Sequence, residues 1–377
     1  MTHLLISWGA NSYGQLGHGY QSEQCSVAQE VDLHGCPLEA KRIKKIAGGG
    51  GHTLILDDDG RVYSCGWNNK GQGGFPEKEN ILSFRRIGGL LEKESVIDIA
   101  CGWASSAALT IEGQLFVWGS NYFGQLGRDT STFPWTNEPT RVEIDRKIVR
   151  VSMGLKHTAL ITEDCKVLVS GAGNKGQLGF NPSEHDNPRI HCTFTEVSVL
   201  TDIADICCGQ HHTVAVTKER ELYVFGDNKH GQLAIDPEVL PKSSIPVKLS
   251  SFQLGTKNEV HTGWSHTTLL SDGQIFAWGR NTYGQLGCTE IERPTPWDPL
   301  RIKDVPKIQQ ISVGSEHSIA INEHGSILSW GWNEHGNCGT GGTRDVFRPQ
   351  CILLPFEYVA ILIGCGAGHT FAVIRRP

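Results

Sequence analysis

The sequence predicts an all-β chain folded as a seven-bladed β-propeller, in which the N-terminal strand completes the C-terminal blade. Three observations predict this architecture: a ten-residue motif that occurs seven times, a second motif that alternates with it, and chain ends that each hold part of one blade. The repeats run through the whole chain of 377 residues. Because a ring of repeats is one unit whatever its length, residues 1–377 are predicted to form a single domain.

The first motif is best seen in the stretch Trp278-Gly-Arg-Asn-Thr-Tyr-Gly-Gln-Leu-Gly287. Its seven copies place a glycine in the second position at steps of 52 to 57 residues. These glycines are Gly9, Gly66, Gly119, Gly171, Gly226, Gly279 and Gly331. We interpret the motif as a tight structural loop, in which the glycines take positive φ, the asparagine bonds nearby backbone and the leucine tucks beneath.

The second motif reads Gly-x-x-His-Thr, as in Gly154-Leu-Lys-His-Thr158. It contributes His52, His157, His212, His266, His317 and His369. In one copy Ser105 stands in place of the histidine. Histidines spread one per blade around a ring do not converge on a single ion, so no metal site is predicted. Each is interpreted instead as a neutral imidazole that bridges two backbone groups.

One unit shows how the motifs define a blade. Residues 96–101 read as a first strand, 107–110 as a second and 115–118 as a third, because they are rich in apolar, β-branched and aromatic residues. The sequence Glu112-Gly113 supplies the hairpin turn. A stretch through Pro134, Pro139 and Val142 is predicted as an outer strand, where proline is tolerated. Four antiparallel strands in about 50 residues are typical of a propeller blade.

The two ends of the chain complement each other. Residues 366–374 supply a second strand after a Gly-x-x-His-Thr turn, with no third strand following. Residues 3–9 read as a third strand with no first or second before it. The N-terminal strand is therefore predicted to join the last blade, which hides two sheet edges that would otherwise promote aggregation.

Composition narrows the function classes. A formal charge of −6 opposes a broad nucleic-acid footprint. No apolar run approaches the roughly 18 residues of a membrane span, so membrane insertion is not expected. The 12 cysteines form no C-x-x-C pair and are interpreted as buried reduced thiols. We expect a protein without cofactors or metals, located in the cytoplasm and also in the nucleus.

Strand direction predicts that both motif loops lie on one face of the ring. That face would display aromatic and charged side chains, which suits protein binding, although ordinary solvated loops remain the alternative interpretation. The predicted partner-binding residues are Trp103, Tyr122, Lys156, Gln210, His211, Trp264, Tyr283 and Glu316.

The alternation of Trp-Gly-x-Asn-x-x-Gly-Gln-Leu-Gly with Gly-x-x-His-Thr over residues 3–374 resembles the repeat of the regulator of chromosome condensation family. The resemblance implies guanine nucleotide exchange on a small GTPase through protein binding, without covalent chemistry, here in secretion or trafficking. The protein partner would be a small GTPase or a subunit of a trafficking complex. In the family, two acids and a histidine in the Gly-x-x-His turns are important for exchange, and only the histidine finds a match here, as His211.

Two alternatives follow from the same motifs. The first is a scaffold or adaptor propeller without exchange activity, which needs only the binding face. The second is ultraviolet sensing, because plant photoreceptors of this fold cluster tryptophans in Gly-Trp-Arg-His-Thr turns. Only the turn Gly263-Trp-Ser-His-Thr267 approaches that pattern, so the second alternative is disfavoured.

Overall fold

A computed structural model describes residues 2–180, 190–250, 252, 254–289 and 297–376. Within these ranges the backbone forms seven four-stranded antiparallel sheets and two short 3-10 helices, Ala40–Arg42 and Gly89–Lys93. No helix in the described residues has the length and apolar character needed to cross a membrane. The predicted seven-bladed β-propeller is confirmed.

Each sheet is one blade, and the blades are numbered 1 to 7 in the order of their innermost strands. Blade 1 contains β3 (Ile43–Gly48), β4 (His52–Asp57), β5 (Val62–Gly66) and β6 (Ile81–Arg86). Blade 2 contains β7 (Val96–Cys101), β8 (Ser105–Thr110), β9 (Leu115–Ser120) and β10 (Trp135–Val142). Blade 3 contains β11 (Ile148–Met153), β12 (His157–Thr162), β13 (Val167–Ala172) and β14 (Ile190–Glu196). Blade 4 contains β15 (Ile203–Cys208), β16 (His212–Thr217), β17 (Leu222–Asp227) and β18 (Lys242–Lys248). Blade 5 contains β19 (Asn258–Thr262), β20 (His266–Ser271), β21 (Gln274–Gly279) and β22 (Leu300–Arg301). Blade 6 contains β23 (Ile308–Val313), β24 (His317–Asn322), β25 (Ile327–Gly331) and β26 (Val346–Cys351). Blade 7 contains β27 (Val359–Cys365), β28 (His369–Arg375), β1 (His3–Ala10) and β2 (Gln24–Glu30).

The apolar core lies between neighbouring blades. In six blades the second strand is buried along its whole length, as in β4 and β8, because both of its faces meet another blade, and in blade 7 only Arg375 at the end of β28 is exposed. Between blades 1 and 2, Leu54 and Leu56 pack with Ile99 and Trp118. The buried Trp118 indole N–H also donates to the carbonyl of Gln72 in blade 1 at 2.9 Å. Each blade therefore completes its core with side chains from its neighbour.

The chain closes its ring within blade 7. Strand β1 pairs antiparallel with β28, in a register that runs from His3 opposite Arg375 to Gly9 opposite His369. The predicted closure is confirmed, and it is more extensive than one strand, because β2 follows β1 as the outer strand of the same sheet. Half of blade 7 is thus N-terminal and half C-terminal.

The strand predictions for residues 96–142 agree with blade 2. The first strand has the predicted bounds, and the second begins two residues earlier, at Ser105. The outer strand β10 includes Pro139, and its pairing with β9 is irregular between Thr136 and Thr140. Proline has no N–H to donate to a neighbouring strand and is tolerated at this edge position. The same irregularity occurs in blades whose outer strand lacks proline, as between β5 and β6.

Candidate partner-binding face

The loops of both motifs lie on one face of the ring, as predicted. The amide that opens a Trp-Gly loop donates to the carbonyl of the residue before the turn histidine. Trp67 donates in this way to Gly51 at 2.7 Å, and Asp227 donates to His211 at 2.8 Å. We call the surface formed by the Gly-x-x-His turns and the Trp-Gly loops the loop face.

Six of the seven Trp-Gly loops are held by their own asparagine, and in blade 3 Gly173 stands at that position. In blade 2, Asn121 Oδ1 accepts from the amide of Leu126 at 2.9 Å, and its Nδ2 donates to the carbonyl of Phe133 at 2.8 Å. Gly124 has φ 74°, and a Cβ there would lie 2.5 Å from a carbonyl oxygen of the next blade. The structural interpretation of this motif is confirmed, and the loops it holds are rigid.

The turn histidines join blades, which corrects the prediction that each bridges two backbone groups. Thr53 Oγ1 donates to the carbonyl of Gln15, so the His369 Nε2–H donates to Thr53 Oγ1, both at 2.9 Å. The linked pairs are His52–Ser106, His157–Thr213, His212–Thr267, His317–Thr370 and His369–Thr53. The hydroxyl belongs to the residue after the histidine position of the next blade, so the motif itself carries both partners.

Burial keeps these imidazoles neutral. It lowers the pKa of His52, His157, His212, His266 and His369 to about 3 and that of His317 to about 4. A neutral ring with its proton on Nε2 suits the donor role toward the neighbouring hydroxyl. The histidines are therefore structural.

Two of the seven interfaces between blades lack this link. In blade 2, Ser105 stands where the histidine would be. In blade 5, neither His266 Nε2 nor Ser318 Oγ has a hydrogen-bond partner among the described residues. The His266 ring lies instead 3.8 Å from the Glu316 carboxylate. Both blades carry a tryptophan in the same turn.

Those two tryptophans meet at the centre of the loop face. The ring centroids of Trp103 and Trp264 lie 5.5 Å apart at an interplanar angle of 50°. Blades 2 and 5 are nearly opposite in the ring, so the pair lies across the axis. Together with the neighbouring turns it covers one end of a central cavity of about 860 Å³. Aromatic side chains are enriched in protein-protein interfaces, which makes this partly exposed pair a candidate binding centre.

Charged side chains line the walls of the cavity. Arg150 pairs with Asp205 of the next blade at 2.8 Å, and Lys45 is similarly bonded to Asp98. In each pair the cation faces a carboxylate of the next blade, so the two charges offset each other. Their evident effect is to join the innermost strands of neighbouring blades.

Metal ligation finds no support in the described residues. No group of three or more His, Cys, Asp or Glu there is arranged to hold a metal ion. Cys65, Cys208 and Cys338 are buried free thiols, and burial raises the pKa of Cys208 and Cys338 to about 12. They pack as small apolar side chains.

The predicted binding residues differ in accessibility. Trp103 and Tyr122 are 36% and 43% exposed. The half-buried members are Lys156, Gln210, His211, Trp264 and Tyr283. Burial lowers the pKa of His211, an effect that Asp227 partly offsets, so this ring is neutral at pH 7.

Glu316 is a correction, because the sequence predicted it on the surface and the structure buries it. Only 4% of the residue is exposed. Its carboxylate accepts from Gln285 Nε2 and lies 3.4 Å from Arg280 Nη1. Burial raises the pKa of Glu316, and the hydrogen bond from Gln285 and the charge of Arg280 counteract this. The carboxylate turns inward because these partners, contributed by blade 5, compensate its desolvation.

Tyr13 is also expected on the loop face from the sequence, and it stacks there on Trp67 with centroids 4.8 Å apart. Sequence reasoning missed Trp67, Lys70 and Trp135, which is 39% exposed beside Tyr122. Lys70 occupies the loop position that Tyr13 holds in its own copy. Aligning the seven copies position by position would have revealed Lys70, whereas Trp135 lies in a variable stretch and gives no such signal.

Comparison with known proteins identifies the family. Residues 4–372 match the model of the RCC1-like domain. The chain is 34% identical to the secretion-regulating guanine nucleotide exchange factor of Bos taurus, over 99% of this chain and 83% of that protein. It is 31% identical to the ultraviolet-B receptor UVR8 of Arabidopsis thaliana, over 93% and 77%. Yeast RCC1 (Prp20), crystallised bound to Kap60, has the same fold, with a TM-score of 0.89 at 24% identity, covering 100% of this chain and 89% of that one. The chain belongs to the RCC1-like domain family.

Proposed function

We propose that this chain is a guanine nucleotide exchange factor for a small GTPase and that it binds the GTPase through the loop face. The observation that carries the proposal is the 34% identity, over 99% of the chain, to a secretion-regulating guanine nucleotide exchange factor. A role in secretion or trafficking, in the cytoplasm and also in the nucleus, is part of the same proposal.

Exchange of this kind makes and breaks no covalent bond. An exchange factor accelerates nucleotide release by binding the nucleotide-free GTPase more tightly than the nucleotide-loaded form. The exchange factor and the nucleotide therefore each weaken the binding of the other to the GTPase. Such a factor benefits from a rigid surface, because little conformational freedom is lost on binding. The loops held by Asn121 and its equivalents provide that rigidity.

The centre of the proposed site is the pair Trp103 and Trp264. Large aromatic side chains near the middle of an interface commonly contribute most of the binding free energy. Gln210 and His211 lie in the turn of blade 4, and Tyr283 lies in the loop of blade 5. The neutral, half-buried His211 is suited to donate or accept one hydrogen bond to the GTPase.

A scaffold without exchange activity is the second candidate, and one observation favours it. Glu316 is the only acidic residue within the seven Gly-x-x-His turns, and it is buried and engaged with Arg280. The exposed acids that the family resemblance implies in these turns are therefore missing. A platform that binds a GTPase or a trafficking subunit needs no such acids.

Stopped-flow release of fluorescent GDP from a panel of small GTPases separates the two candidates. The full chain should accelerate release from at least one GTPase, and Trp103→Ala combined with Trp264→Ala should weaken that effect at least about tenfold. Lys229→Gln, an exposed change on blade 4 of the same face, is the matched control. Binding of a GTPase without faster release would support the scaffold, and absence of binding to every GTPase would contradict the exchange proposal.

A further inference from the structure

Two lysines of blade 1 lie over exposed aromatic rings of blade 2. Lys70 Nζ is 5.4 Å from the centre of the Tyr122 ring and 5.8 Å from the centre of the Trp135 ring. Lys78 Nζ is 5.8 Å from the Trp135 ring as well. The two rings are themselves neighbours, with centroids 6.0 Å apart. Cations and apolar surface therefore alternate on this part of the loop face.

Blade 3 extends the arrangement, because Lys156 Nζ lies 4.1 Å from the centre of the Phe123 ring. In the ranges that the structure describes, none of these three lysines forms an ion pair with a carboxylate. Two other cations of the face are matched, with Lys175 3.5 Å from a carboxylate oxygen and Arg280 3.4 Å from another. The charges of Lys70, Lys78 and Lys156 therefore remain available to a ligand.

The backbone beneath these side chains is fixed. The Asn121 amide donates to the carbonyl of Pro134 at 2.8 Å, and the Phe133 amide donates to that of Asp129 at 2.9 Å. Asn137 Nδ2 reaches the carbonyl of Pro76 at 3.4 Å, which joins the blade 1 loop to the outer strand of blade 2. Binding here would order little additional backbone.

We propose that this surface, the blade 2 patch, binds an acidic, extended segment of a protein partner. The patch consists of Lys70, Lys78, Tyr122, Phe123, Trp135 and Lys156. Carboxylates of the segment pair with the lysine ammonium groups, and its apolar side chains lie on the exposed rings. The inference rests on the proposal that the loop face binds protein, and it adds the chemistry of one ligand.

Charge favours a short acidic peptide over a nucleic acid strand. The patch holds three unmatched cations, and Glu77, Glu79 and Asp129 border it along the same two loops. A nucleic acid strand extends its phosphates beyond such a patch and would meet these carboxylates and a chain of net charge −6. A peptide can place a few carboxylates on the lysines and end there.

Fluorescence anisotropy with a labelled peptide tests the proposal on the full chain. The probe is a peptide of about twelve residues that repeats Glu-Leu-Glu-Phe, with a Gln-Leu-Gln-Phe peptide and an oligothymidylate of equal length as comparisons. The acidic peptide should bind at least about tenfold more tightly than the glutamine peptide at about 0.05 M salt and lose affinity at about 0.15 M. Equal binding of both peptides, or tighter binding of the oligothymidylate, would overturn it.

Two variants localise the binding. Lys70→Gln with Trp135→Ala should weaken acidic-peptide binding at least about tenfold, whereas Lys229→Gln on blade 4 should leave it unchanged. A result in which both variants bind alike overturns the assignment to this patch. Trp103→Ala with Trp264→Ala should retain peptide binding, so failure of GTPase exchange and failure of the patch are observed separately.

Discussion

Two interfaces between blades, built from the same motif, differ in how they are fastened. Between blades 7 and 1, His369 donates to Thr53, which in turn donates to the carbonyl of Gln15. Between blades 5 and 6, His266 and Ser318 are equally buried and have no such bond within the described part of the chain. The blade 5–6 interface differs by the presence of Glu316, 3.8 Å from the His266 ring.

The comparison shows that a repeated motif does not guarantee a repeated interaction. A hydrogen bond between blades needs the imidazole to face the hydroxyl, and a carboxylate on its other side offers the ring a competing contact. The turn that lacks the link also holds Trp264, which reaches the centre of the loop face.

The largest expected effect comes from opening the ring at blade 7, which forms one side of the linked interface between blades 7 and 1. Deleting residues 1–9 removes nearly all of β1 and leaves β28 without its partner strand on one side. The exposed edge and the uncovered core should abolish a single cooperative unfolding transition. Differential scanning calorimetry of the full chain and the truncated chain measures this, and a sharp, unchanged transition after deletion contradicts the role of β1.

The sequence was sufficient for the architecture because glycine, histidine and hairpin signals occur in register. It was insufficient where the outcome depends on residues of two blades. The burial of Glu316 depends on its contact with Arg280, which lies 36 residues earlier on blade 5. The blade 2 patch likewise requires Lys70 of blade 1 to lie beside Trp135 in the outer strand of blade 2. The histidine links could have been predicted from the sequence. Each turn motif contains a histidine donor and, beside it, the hydroxyl that accepts from the histidine of the preceding blade.

Acid should destabilise the blade 7–1 and blade 5–6 interfaces to a similar extent. The pKa of each turn histidine is lowered by its burial and not by the hydrogen bond between blades. Folding lowers the pKa of His369 and of His266 from 6.5 to about 3. Between these values the unfolded chain binds more protons than the folded chain, so the free energy of unfolding falls as pH decreases from about 6.5 to about 3. Above about 6.5 these histidines contribute no pH dependence.

Urea unfolding at a series of pH values measures this dependence. Replacing either His369 or His266 by Gln should reduce the acid slope by up to one proton, about 1.4 kcal/mol per pH unit. Because protonation of Glu316 has the opposite effect, the His266 measurement is repeated with Glu316→Gln. A reduced slope for His369→Gln alone would show that the link, and not burial, governs the titration.

Removing the acceptor hydroxyl should separate the two interfaces. Thr53→Val leaves a buried imidazole N–H and the Gln15 carbonyl each without this partner, which should cost about 2–4 kcal/mol in the free energy of unfolding. Ser318→Ala removes a buried hydroxyl that already lacks a partner and should change stability by less than about 0.5 kcal/mol. Equal losses from both variants would mean that the interfaces are fastened alike.

The smallest expected effect is a gain at the unfastened interface. Threonine is the acceptor at four of the five linked interfaces, and its β-branched side chain fixes the direction of the hydroxyl. Ser318→Thr should let His266 donate across the interface and raise the free energy of unfolding by about 0.5–1 kcal/mol. If the change gives no gain alone but does so together with Glu316→Gln, the carboxylate holds the ring away. A loss of stability in both backgrounds would show instead that the added methyl group does not fit between blades 5 and 6.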